Sequence, residues 1–162
     1  MNRLNNIILL VVFICTHAHS QQAYFVDGYH GGIYGHYPVK WKTQFTVDQL
    51  SMHPDWRICL EIEPETWDTV LCTKLLKLIN NLKKLVASRQ VEFTNPTYAQ
   101  PYCYNISGES IIRQFQYGIT KTNAHFPEVD FVTYSVEEPC FTSCLPQILK
   151  QFGFKYAVFK VP

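Results

Sequence analysis

Short apolar runs, each ended by polar or acidic residues, alternate along this chain with longer stretches of helical period, and no other feature constrains its fold as tightly. The runs occupy 23–26, 56–62, 91–94, 131–136 and 155–160. Helical spacing covers 42–53, 67–87, 107–119 and 142–152. In 67–87, Leu71, Leu75, Leu78, Leu82 and Leu85 form one stripe, and Lys74, Lys77, Lys83 and Lys84 supply its solvated side. Pro54 stops the first helix and Gly153 the last. This alternation predicts an α/β fold, with parallel strands alternating with helices through right-handed crossovers.

In such folds chemistry gathers at the carboxyl ends of the strands. The polar residues of this chain fall there. Asp27 and His30 follow the first run, and Glu61 and Glu63 end the second. Asn95, Tyr98, Gln100 and Tyr102 follow the third. The sharpest case is 131–146, FVTYSVEEPCFTSCLP, where an apolar run stops at two adjacent carboxylates, Glu137 and Glu138. An unpaired carboxylate costs several kcal/mol to bury, so a pair at a strand end is a candidate site. Carboxylates converging with a histidine suit a glycosidase or a His/carboxylate metal centre. Each residue also has a plainer reading. His36 fits a structural loop role, and Glu63 or Glu65 would favour the N-terminus of the next helix through its dipole. Tyr98 and Tyr102 would equally serve as lid or core aromatics. The glycines at 28, 31, 32 and 35 form a flexible loop, with no G-K-[ST] to make it a phosphate loop.

Composition excludes several classes. Net charge is +1, with no basic run, which argues against nucleic acid as a partner. Arg3, the apolar run 7–15 and the small-x-small site Ala18-His19-Ser20 predict a signal peptide over 1–20 and an exported protein, secreted or periplasmic. No other segment is long and apolar enough for a stable membrane span. Five of the six cysteines follow residue 20, an odd number that makes a poor disulfide framework. Buried thiols are expected, with Cys140 and Cys144 sharing a helix face. Asn105-Ile106-Ser107 is a formal glycosylation sequon.

The segments Y-S-V-E at 134–137 and S-C-L-P-Q-I-L-K-Q-F-G-F at 143–154 resemble the N-terminal catalytic domain of glycoside hydrolase family 38, the α-mannosidases. There S-I-D-P-F-G-H-S precedes a P-x-L-L-K-x-x-G-F helix and strand. The stretch 91–101 is similar to that family's strand leading to its G-G-W loop, and 25–32 lies where the family has H-x-H-N-D-P-G-W. The resemblance implies a seven-stranded glycoside hydrolase/deacetylase type of (β/α) barrel, present here as a partial barrel over 21–162. It implies a zinc cofactor, a carbohydrate substrate and hydrolysis of α-mannosides with retention. By the resemblance Glu137 is the nucleophile and a metal ligand, with a longer side chain than the family's aspartate. His30 matches the histidine ligand. Gly32 stands where the family has an aspartate, and Asp27 substitutes for it from the strand end. Glu61, Glu63, Tyr98, Gln100, Tyr102 and Glu138 make up the expected substrate-binding set. Five strands cannot close the barrel, so this piece alone is expected to be inactive and poorly stable. The alternatives are a non-catalytic carbohydrate-binding remnant or a polysaccharide deacetylase-like metallohydrolase.

Overall fold

The structure is a computed structural model, and it describes residues 26–27, 39–72, 76–136 and 141–159. Its elements in chain order are β1 (Val26–Asp27), α1 (Val39–Met52), β2 (Ile58–Leu60), α2 (Glu65–Cys72), α3 (Leu76–Ala87) and β3 (Val91–Phe93). A 3₁₀ turn (Cys103–Asn105), α4 (Gly108–His125), β4 (Thr133–Ser135), α5 (Leu145–Gln151) and β5 (Tyr156–Val158) follow. Every expected strand is present, though only two or three residues long.

All strand pairings are parallel. The first sheet has the order β1-β2-β3, with Asp27 opposite Leu60 and Leu60 opposite Phe93. The second pairs β4 with β5, Tyr134 opposite Ala157. The parallel strands expected from sequence are thus present, in two short sheets. They meet at Thr94, just past β3: its N–H donates to the Leu60 carbonyl at 3.1 Å, and its own carbonyl accepts from Ser135 N–H at 3.1 Å.

The helix expected over 67–87 is present on both sides of residues 73–75, which lie outside the described residues, as α2 and α3, and the two stretches have different neighbours. α2 packs on α4, whereas α3 packs on α1. The helix also starts earlier than its leucine stripe suggests. Glu65 begins α2 directly after Pro64, and Glu65 and Asp68 lie in the first turn, favourable against the helix dipole. The leucine stripe itself is real in α3, where Leu78, Ile79, Leu82 and Leu85 are buried while Lys77 and Lys84 are exposed.

Local chemistry explains the ends of several helices. The Ser107 hydroxyl caps α4 by accepting from Ser110 N–H, and Ile111, Phe115, Gly118 and Thr122 form the buried face. α1 has no basic residue in its last turn. Its terminal carbonyls are met instead by the buried side-chain amide of Gln90, which donates to Leu50 O at 2.9 Å and His53 O at 3.2 Å. Gly153, at φ +87°, turns the chain out of α5, and Phe154 N–H then donates to Leu149 O.

Two hydrophobic clusters match the two sheets. The first includes Val47, Leu60, Leu78, Leu82, Phe93 and Phe131, with Trp67, Phe93 and Phe126 in mutual ring contact at 4.9–5.5 Å. The second contains Cys103, Ile111, Phe115, Tyr134, Val136, Leu145, Ile148 and Leu149. Phe154 packs against both. α4 also serves both, through Ile111 and Phe115 on one side and Ile119 on the other. β5 is exposed along its whole length. No helix among the described residues is long and apolar enough to cross a membrane.

Candidate functional site

Parallel pairing puts the residues after β2 and β3 at one end of the first sheet. Immediately past Leu60 the chain buries Glu61 and Glu63, each 1% exposed. Past Phe93 it buries Thr94, Asn95 and Thr97. These polar side chains hold one another. Gln100 Nε2 donates to Glu61 Oε1 at 2.8 Å, and Gln100 Oε1 accepts from Asn95 Nδ2 at 3.4 Å. Asn95 Oδ1 in turn accepts from the Thr97 hydroxyl at 2.7 Å and the Thr97 N–H at 3.0 Å, the self-closing turn typical of asparagine.

Gln100 sits at φ +38°, in the left-handed region that costs a non-glycine residue energy. The loop that imposes this is fixed from outside by α4. Tyr98 N–H donates to Gln114 O at 3.0 Å, and Ala99 N–H to Gln114 Oε1 at 3.0 Å. At Gly118 the helix meets the loop so closely that a Cβ would lie 2.0 Å from Pro96 O. Nothing but glycine fits there.

A second polar cluster ties the same loop to α2. The Tyr98 hydroxyl donates to Asp68 Oδ2 at 3.4 Å, Lys121 Nζ lies 2.9 Å from Oδ2, and His125 Nε2 lies 3.8 Å from Oδ1. Hydrogen bonding from Lys121 holds the Asp68 carboxyl below its ordinary value and raises the ammonium in return. Burial, then the Asp68 charge, pushes the Tyr98 phenol up.

The sequence-derived candidates thus separate into groups. Glu61 and Gln100 are joined directly. Glu63 is buried beside Glu61 in the chain, and its carbonyl accepts from Thr66 N–H at the start of α2. Tyr98 directs its hydroxyl to Asp68. Tyr102 is 45% exposed and stands 5.7 Å from Tyr104, ring to ring. The backbone of Asp27 ends β1 opposite Leu60, one residue before Glu61. His30, Glu137 and Glu138 lie outside the described residues. Among the described residues no group of three or more His, Cys, Asp or Glu could hold a metal ion.

Of the cysteines expected to be buried, Cys103 is, Cys59 is half-buried and Cys144 is exposed. The reason for Cys144 is that α5 begins only at Leu145, with Pro146 in its first turn, leaving Cys144 at the cap position rather than on a helix face. Burial and the neighbouring Glu92 push the Cys59 thiol up to about 11.

Gln114, Gly118, Asp68 and Lys121 are absent from the candidates that the sequence offers. Gly118 carried a usable signal: a glycine inside a helical pattern marks a close approach of another backbone. The others carry none, because a Gln, Asp or Lys in a helical pattern is ordinary.

Among solved structures the chain is similar to a 4-alpha-glucanotransferase from Thermococcus litoralis, with TM-score 0.63 and 14% identity over 83% of this chain and 21% of that one. It is also similar to a mutant CE4 family pseudoenzyme with restored enzymatic activity, with TM-score 0.56 and 16% identity over 73% of this chain and 40% of that one. At these identities the likeness is one of fold, and the chain spans well under half of either structure. No curated protein matches it. The family description "Glycosyl hydrolases family 38 N-terminal domain" matches residues 10–161, nearly the whole chain. With its parallel strands alternating with helices, and its polar residues collected at the strand ends, the chain belongs to glycosyl hydrolases family 38, as part of that family's N-terminal domain.

Proposed function

We propose that the chain contributes the opening strands of a retaining, α-mannosidase-like glycosidase built on a seven-stranded (β/α) barrel. The family match over 10–161 carries this reading. In the reading, Glu137, two residues past Ser135 at the end of β4, is the nucleophile. A retaining carboxylate bonds to the anomeric carbon as the leaving-group oxygen takes a proton, and water then cleaves the glycosyl-enzyme bond. Gln100 and Tyr102 contact the sugar, with Glu61 and Asn95 holding the Gln100 amide in place and Glu63, Tyr98 and Glu138 completing the surroundings. His30, Asp27 and Glu137 would hold zinc. The position of Asp27 at the end of β1, beside the β2 strand end, suits a His/carboxylate donor set of that kind. Zinc bound there would supply Lewis-acid polarisation of a sugar hydroxyl. Residues 1–20 direct export.

The test uses the full-length protein with aryl α-mannosides and metal analysis. We expect turnover, one zinc per chain lost in His30→Ala, and a fall of about a thousandfold or more in Glu137→Gln, the scale of losing a covalent catalyst. Absence of turnover on every aryl α-mannoside, or an unaffected Glu137→Gln, overturns the reading. Gly32, where the family has an aspartate, favours a second reading, a carbohydrate-binding remnant. Tight glycan binding without hydrolysis would select it.

A further inference from the structure

The chain holds two Asn-x-Ser/Thr triplets, and the fold treats them oppositely. At Asn95-Pro96-Thr97 the middle residue is proline, which bars the triplet from N-glycosylation. Its Asn95 is also 1% exposed, with Oδ1 held by the Thr97 hydroxyl and Nδ2 by Gln100. Asn105-Ile106-Ser107 has no such bar. Asn105 ends the 3₁₀ turn and is exposed, as are Tyr104 before it and Ser107 and Gly108 after it. A Cβ added at Gly108 would meet nothing within 4 Å, so the ground on that side is open. An attached glycan is bulky and hydrophilic, and it needs such a surface position. Ile106 is extended, at φ −125° and ψ 161°, so the triplet crosses the junction between the turn and α4 and is not locked inside a helix. The bond from Asn105 N–H to Tyr102 O at 2.9 Å closes the turn.

We propose that Asn105 is an N-glycosylation site, which takes an oligosaccharide from a lipid-diphosphate donor as the chain is exported. The proposal rests on the export reading of residues 1–20 and is independent of the glycosidase chemistry.

The transfer balances. Asn105 Nδ2 bonds to the anomeric carbon of the donor's first sugar, and the bond from that carbon to the diphosphate oxygen breaks. The lipid diphosphate leaves with the electron pair, and one amide proton passes to solvent. The glycan then stands on the loop that carries Gln100, in the same turn as Tyr104 and next to the exposed ring of Tyr102. Ser107 has two uses in this scheme. Its hydroxyl completes the triplet, and it caps α4 by accepting from Ser110 N–H at 3.2 Å.

The experiment expresses the full chain, with its own residues 1–20, in a eukaryotic secretory cell line beside Asn105→Gln, Ser107→Ala and Ser107→Thr. A second set carries a foreign signal peptide in place of 1–20. Whole-cell extracts are analysed, so that a chain retained inside the cell still counts. We expect peptide-N-glycosidase to lower the mass of the parent chain and, in heavy-oxygen water, to leave residue 105 as a labelled aspartate. Asn95 should stay unlabelled. Asn105→Gln and Ser107→Ala should both lose the glycan, and Ser107→Thr should keep it. Ser107→Ala also removes the α4 cap, whereas Asn105→Gln leaves the cap intact, so a loss shared by both belongs to the triplet and not to folding. An unmodified Asn105 behind the foreign signal peptide overturns the proposal. So does a glycan that survives in Asn105→Gln. Modification behind the foreign signal peptide alone supports the site and overturns the export reading of 1–20.

Discussion

The side-chain amide of Gln100 donates to the Glu61 carboxylate at 2.8 Å, joining positions 39 residues apart in the chain. The bond spans the ends of β2 and β3 and comes from a residue in the left-handed region. The two effects separate in a pair of variants. Gln100→Ala removes the donor and keeps the strained backbone, so it should cost about 1–3 kcal/mol. Gln100→Gly also removes the donor but relieves φ +38°, and should recover about 1 kcal/mol of that. Urea denaturation of both variants checks the order. Equal losses would mean that the backbone at residue 100 is not strained.

Gly118→Ala tests how firmly the loop rests on α4. Alanine is the better helix former by about 1 kcal/mol. Here its Cβ would meet Pro96 O at 2.0 Å and Tyr98 N at 2.8 Å, both backbone atoms that cannot rotate aside. Overpacking should win, with a net loss of about 2 kcal/mol or more. A melting temperature unchanged or raised would show that the loop yields.

Gln90 is buried, and its amide meets the end of α1. Gln90→Leu keeps the volume and deletes the donor, leaving the Leu50 carbonyl without this donor and His53 O with the Trp56 N–H at 3.0 Å. We expect about 1–3 kcal/mol of destabilisation. Faster hydrogen exchange in the last turn of α1 should accompany it.

The pH dependence follows from Asp68. The Lys121 hydrogen bond holds its carboxyl below the ordinary 3.8. A depressed carboxylate contributes stability above its unfolded pKa, and that contribution is lost as pH falls through the folded value. Lys121→Met should therefore lose some stability at neutral pH and converge with the parent protein as pH drops from about 4 towards 2. Both side chains are more than a third exposed, so the difference is small and should shrink further in high salt. A gap that widens on acidification would reverse the assignment.

How much of this was legible in the sequence varied with the range of the interaction. Elements read from local pattern are in place: Ser107 caps α4 and Gly153 ends α5, because a cap is chosen by its immediate neighbours. α2 and α3 lie within one continuous leucine stripe, so their different packing partners, α4 and α1, are not legible in it. Glu61 and Gln100 each stand out as polar residues after apolar runs, but nothing in the sequence says that they bond to each other. That pairing depends on register between strands and on a loop forced into shape by Gly118. The joining of the two sheets through Thr94 likewise depends on how the strands align, which strand composition does not encode.

The two clusters also differ in when a growing chain can build them. The buried residues of the first run from Val47 to Phe131, so they exist once Phe131 has been synthesised, and only the partly buried Phe154 joins later. The second needs Leu149, and the Ser135-to-Thr94 bond that joins the sheets comes late as well. A nascent chain therefore passes through a stage in which the β3 edge, with the Thr94 carbonyl, has no neighbour to shield it. Protease protection of ribosome-stalled chains of increasing length would show two separate steps if the cores assemble in that order. The edge left open between those steps is where a translating cell would most need a chaperone to stand guard.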